Sequence, residues 1–115
     1  EKGITLSGGQ KPRLCIARAL LMKTPVLIFD DALSSLDAAT TQQLIEKLKA
    51  QAGSRTSIIV SNRIASIQHA DAIYVFDGGR IAAQGTHAGL LGRGGLYYQL
   101  YQRQKLEEAE APSHV

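Results

Sequence analysis

Two short stretches combine residue types that suit chemistry on a phosphate. The first is "TLSGGQKPR" (5–13), with adjacent glycines just ahead of the apolar Leu14-Cys15-Ile16-Ala17. Glycine weakens a helix interior by about 1 kcal/mol relative to alanine, so Gly8 and Gly9 belong at a helix start. Ser7 then serves as the cap, and bare backbone N–H groups face outward. Such a terminus favours an anion, because unpaired donors and the helix dipole act together. The second stretch is "VLIFDD" (26–31), an apolar run closed by Asp30 and Asp31. A buried strand ending this way sets two carboxylates at the carboxyl edge of a sheet, where open α/β sheets bind ligands. Carboxylates there suit magnesium binding and handling of an attacking water. Asp-Asp also reads simply as a capped helix start after a strand.

The elements that position these residues follow from periodicity. Residues 8–22 predict a helix with Leu14, Ala17 and Leu21 on one face, stopped by Pro25. Pro12 leaves two options: the helix starts near Gln10, or its first turn is distorted. "VLIFD" (26–30) is continuously apolar, which predicts a strand covered on both faces, as in a parallel sheet. Residues 38–50 predict an amphipathic helix with Leu44, Ile45 and Leu48 inward, ended by Gly53. "SIIVS" (57–61) predicts a second buried strand, and residues 63–69 a short helix. "AIYVF" (72–76), "DGG" and "RIAAQ" (80–84) predict a hairpin. Thr86 caps a short helix, and a last helix from Leu96 carries a packing stripe of Tyr97, Leu100 and Tyr101. The tail over 107–115 is expected to fray. Helices alternating with buried strands give an α/β fold class.

Composition narrows the function classes. The net charge of +3 is spread along the 115 residues without interleaved aromatics, which argues against nucleic acid as a partner. No apolar run reaches the ~18–20 residues of a membrane span. The single cysteine, Cys15, forms no internal disulfide, fits a reducing compartment and reads as a small core residue. His69, His87 and His114 lack metal-ligand spacing and read as surface or packing residues. Lys11 and Arg13 suit either phosphate contact or a solvated helix face.

Taken together, the segments resemble the ATP-binding cassette (ABC) family. "LSGGQ" (6–10) matches its signature motif, "LIFDD" its Walker B strand and "SSLD" (34–37) its D-loop. "IIVSN" (58–62) sits where the switch-histidine segment belongs. The segment "DGGRIAAQGTHAGLLGRGGLYYQLYQRQ" is similar to the end of exporter-type cassettes, in which transmembrane and ATPase domains share one polypeptide. The resemblance implies the C-terminal part of a P-loop NTPase-type ATPase domain over 1–106. Such a domain has a mostly parallel sheet flanked by helices, with a terminal hairpin and helices, and would be incomplete here. It implies ATP and Mg2+ as cofactors, with Asp30 holding the metal through water. It also implies a head-to-tail dimer with a second cassette, on the cytoplasmic face of a membrane. There Leu6, Ser7, Gly8, Gly9 and Gln10 grip the γ-phosphate of ATP on the partner. Ser34, Ser35, Leu36 and Asp37 form the D-loop.

Two departures bear on activity. The family places glutamate after the Walker B aspartate and histidine at the switch, where this sequence has Asp31 and Asn62. Aspartate is one methylene shorter, and asparagine cannot carry a proton. An intact signature beside these two losses resembles the degenerate, regulatory half of a heterodimeric exporter. An active cassette that has drifted, a non-transport ABC ATPase and a truncated, non-functional cassette are the alternatives. No G-x-x-x-x-G-K-[ST] loop occurs in the 115 residues, so these residues alone are expected to be inactive and to expose apolar surface. The transmembrane domain that family exporters carry ahead of the signature is expected outside this chain.

Overall fold

Among the described residues, most buried apolar side chains gather in two clusters, one from positions before Asn62 in the sequence and one from positions after it. The structure, a computed structural model, describes residues 10–112. It divides into two compact units, Glu1–Asn62 and Arg63–Val115.

The first unit is a βαβ arrangement preceded by a helix. Helix α1 (Gln10–Leu21) leads to strand β1 (Val26–Asp30), helix α2 (Ala38–Ala50) and strand β2 (Thr56–Val60). Parallel strands cannot be joined by a tight turn, so α2 provides the crossover. β1 and β2 pair with Val26 beside Thr56 and Asp30 beside Val60. Ile16, Leu27, Phe29, Leu33, Leu36, Leu44 and Leu48 form the core. Lys47 and Lys49 in the last turn of α2 complement its dipole. The Arg55 guanidinium satisfies carbonyls at and after the end of α1, donating to Leu20 O, Met22 O and Thr24 O.

Three expectations for this unit need correction. Leu14, Ala17 and Leu21 of α1 are exposed, and the helix instead turns Ile16, Ala19 and Leu20 toward the core. Both stripes have helical spacing, and docking on the sheet selects between them. Cys15 lies on the outer side and is exposed rather than packed in the core. β1 is covered on one face only: Leu27 and Phe29 are buried, while Val26, Ile28, Ile58 and Val60 are exposed. Side chains α1 and α2 add to the core meet that single face. The helix start at Gln10 settles the position of Pro12, which is the third residue of α1. Its missing N–H falls among donors that the first turn leaves unpaired anyway.

Leu33 is only 1% exposed at the centre of this core. Leu33→Ala is expected to lower stability by about 2–5 kcal/mol, through lost transfer energy and a residual cavity. Urea unfolding followed by circular dichroism measures it, and a change below about 0.5 kcal/mol would contradict the packing described.

The second unit contains helix α3 (Ile64–Ile67), strands β3 (Ile73–Asp77) and β4 (Arg80–Gly85), and helices α4 (His87–Arg93) and α5 (Leu96–Glu110). β3 and β4 form the expected antiparallel hairpin, with a register shift at Val75/Phe76. Its turn has Gly78 at φ 56° and Gly79 at φ 75°, both left-handed, as a two-residue hairpin loop of type I′ requires. Thr86 caps α4 by accepting from Gly89 N at 3.2 Å. Ile64, Ile73, Leu90 and Tyr97 form the core, with Leu100 and Tyr101 against it, so the tyrosine stripe is packing. α5 continues through Glu110 rather than fraying from Glu107. Ion pairs along its exposed side, Lys105–Glu108 at 3.0 Å and Arg103–Glu107 at 3.9 Å, accompany the extra turn.

Candidate functional site

The parallel pairing of β1 and β2 brings two chain segments to one sheet edge. Asp30 ends β1 beside Val60, and the Asp31 N–H donates to Val60 O at 2.9 Å, extending the pairing by one step. Asp30 and Asp31 therefore leave the sheet next to Ser61 and Asn62, at the carboxyl ends of adjacent strands. Asp30, Asp31 and Asn62 are all exposed. Mg2+ is commonly held by one or two carboxylates together with water and substrate phosphates, so a single exposed aspartate at this edge fits such an ion. Among the described residues no cluster of three or more His, Cys, Asp or Glu forms a self-contained metal site.

Asp31 adopts φ 51°, the only non-glycine residue with positive φ among those described. Aspartate tolerates this left-handed region better than most side chains, because its short carboxylate can bond locally. The turn is closed by the Ser34 hydroxyl, which donates to Asp31 O at 2.9 Å.

The segment 34–37 is pinned from both ends. Leu33 and Leu36 are buried, and Leu36 N–H donates to Leu33 O at 3.1 Å. The serines between them, Ser34 and Ser35, stand exposed. Asp37 caps α2, accepting from Thr40 N at 3.0 Å and the Thr40 hydroxyl at 2.6 Å. It also accepts from Arg13 Nη2 at 2.6 Å. The Thr40 hydroxyl, the Thr40 N–H and the Arg13 guanidinium hold its carboxyl down to about 2. Because the folded-state value is depressed, the stabilisation is fully present above the ordinary aspartate value near 4. It is lost as pH falls through about 2.

Sequence reasoning gave Arg13 a phosphate or a solvated face; the structure leaves it exposed and adds contacts with Asp37 and Thr40. No local signal predicts a contact between residues so far apart in the chain. Gln10 opens α1, while Leu6, Ser7, Gly8 and Gly9 lie outside the described residues. His69 is exposed, His87 Nδ1 shares a 2.8 Å hydrogen bond with the Tyr97 hydroxyl, and His114 lies outside the described residues. No helix among the described residues is long and apolar enough to cross a membrane.

Comparison with known proteins agrees with this α/β fold. The ABC transporter family model matches residues 1–34. The chain is 46% identical over 110 residues to the probable multidrug resistance ABC transporter ATP-binding/permease protein YheI of Bacillus subtilis. That match covers 96% of the chain and 19% of the relative. It is also 46% identical to an ATM1-type heavy metal exporter of Novosphingobium aromaticivorans, covering 96% of the chain and 18% of the relative. The ABC-type oligopeptide transporter ABCB9 of Homo sapiens is 46% identical, with coverage of 92% and 14%. Among solved structures, a bacterial Atm1-family ABC exporter with ATP bound superposes with a TM-score of 0.81 at 45% identity. The alignment covers 86% of this chain and 18% of that one. The chain thus spans less than a fifth of the length of these relatives. With the family model matching residues 1–34, relatives 46% identical over nearly the whole chain and an α/β fold like that exporter's, the chain matches the ABC transporter family.

Proposed function

We propose that this chain works as part of an ABC exporter's ATPase domain, at the cytoplasmic face of a membrane, and belongs to the regulatory half of a heterodimer. The observation that carries the reading is the parallel pairing of β1 and β2, which sets Asp30 beside Val60 so that Asp31 and Asn62 follow the carboxyl ends of adjacent strands. Asp30 is suited to hold Mg2+ through water, and Asp31 to orient the attacking water. Asn62 can hydrogen-bond a phosphate oxygen but cannot shuttle a proton. In this reading the ion neutralises charge developing on the phosphates. Leu6, Ser7, Gly8, Gly9 and Gln10 serve ATP held by the second cassette. Ser34, Ser35, Leu36 and Asp37 form the turn that faces that partner. Asp31 and Asn62 make this half's own site slow, while its signature keeps the other site working.

Calorimetric titration with Mg-ATP tests the reading. Residues 1–115 alone are expected to show no saturable micromolar binding, because they contain no phosphate-binding loop. The whole transporter should bind and hydrolyse Mg-ATP. Saturable micromolar binding by residues 1–115 alone, or no binding by the whole transporter, would overturn it.

A further inference from the structure

We propose that Arg13 is a positioning residue that locks the amino-terminal end of α1 to the cap of α2, tying the signature motif to the 34–37 turn. One nitrogen makes both contacts: Arg13 Nη2 donates to Asp37 Oδ1 at 2.6 Å and to the Thr40 hydroxyl at 3.1 Å. The Thr40 hydroxyl in turn donates to Asp37 Oδ1 at 2.6 Å, closing a three-membered ring of side chains. A cation in the first turn of a helix is disfavoured by the dipole, and α1 has no acidic residue in that turn to offset it. The compensating carboxylate comes from Asp37, at the amino-terminal end of the other helix.

Stability does not account for this pair. Both side chains are 53% exposed, and ion pairs at such sites add little to folding. Geometry does. Gln10 and Arg13 share the first turn of α1, and Asp37 directly follows Ser34, Ser35 and Leu36. A shift of the signature end of α1 therefore acts on the 34–37 turn through one charge-assisted contact. With its Nη2 already committed to Asp37 and Thr40, Arg13 is placed to orient the phosphate-gripping segment rather than to bind phosphate.

The inference rests on the ATPase reading proposed above, and the test separates the two. Steady-state ATPase activity is measured on the whole transporter, with each substitution made in this half only. Arg13→Gln is expected to lower kcat about 10-fold while KM for ATP changes less than about 2-fold, as small misplacements at a reacting centre do. Arg13→Lys, which keeps one cationic donor, should recover at least half of the lost kcat. Should Arg13→Gln fail to fold, Thr40→Val removes the second acceptor and should lower kcat in the same direction, less strongly. Gly9→Asp is the control for the underlying reading. If Gly9→Asp has no effect, the ATPase reading fails, and the positioning role with it. If Gly9→Asp abolishes activity while Arg13→Gln leaves kcat within 2-fold, only the positioning role fails. A rise in KM at unchanged kcat would also overturn it, since that marks a direct phosphate contact.

Discussion

Gly9→Asp, introduced in this half alone, is expected to abolish ATP hydrolysis by the assembled dimer, by a factor of about 100 or more. The substitution sets a carboxylate where backbone N–H groups must approach a phosphate, adding both a clash and like-charge repulsion. The effect falls on a site whose Walker B carboxylates belong to the other chain, because the proposed dimer is head to tail. Ser7→Ala should be milder, removing one hydrogen bond worth roughly 1–3 kcal/mol when the phosphate partner is charged. Asp31→Asn should barely matter, since the proposed reading makes that site slow. ATPase assays on dimers carrying each change in one half check all three. Loss with Asp31→Asn but not with Gly9→Asp would make this half the catalytic one.

Asp31→Glu combined with Asn62→His is expected to raise hydrolysis at this half's own site, by roughly 10-fold or more. Glutamate lengthens the carboxylate by one methylene, and histidine restores a side chain able to exchange a proton. The backbone tempers the first change. Asp31 sits at φ 51°, and a longer side chain costs roughly 1–2 kcal/mol in the left-handed region. Asp31→Glu alone should therefore gain less than its chemistry allows, and Asn62→His should supply much of the increase. Single-turnover hydrolysis in dimers whose other site has been disabled isolates the effect. An unchanged rate in the double variant would place the cause of slowness outside these two residues.

The elements that could be read from the sequence were those fixed by local signals. Helix α2 coincides with its predicted span, and the Gly78-Gly79 turn with its predicted place, because capping and turn chemistry act within a few residues. The shared edge of β1 and β2 was implied by two apolar runs joined through a helix. What tertiary structure alone decides was not legible. Two apolar stripes compete on α1, and docking selects Ile16, Ala19 and Leu20 over Leu14, Ala17 and Leu21. Cys15 is exposed for the same reason. The contact of Arg13 with Asp37 joins residues whose neighbours in sequence give no hint of each other. The left-handed backbone of Asp31 arises where the chain leaves β1, and an Asp-Asp pair alone does not announce it.

The two strand pairings place unequal demands on the unfolded chain. β3 and β4 meet across Gly78 and Gly79, whereas β1 reaches β2 only after residues 31–55 have been gathered in. Closing the longer span costs roughly 2 kcal/mol more in chain entropy, taking the cost to rise with the logarithm of loop length. Hairpins close in about 1–10 μs, and non-local parallel pairing is slower because contacts reward the chain only after closure. Pairing is thus expected to run against the direction of the sequence, with the β3–β4 hairpin forming before the edge bearing Asp30, Asp31 and Asn62.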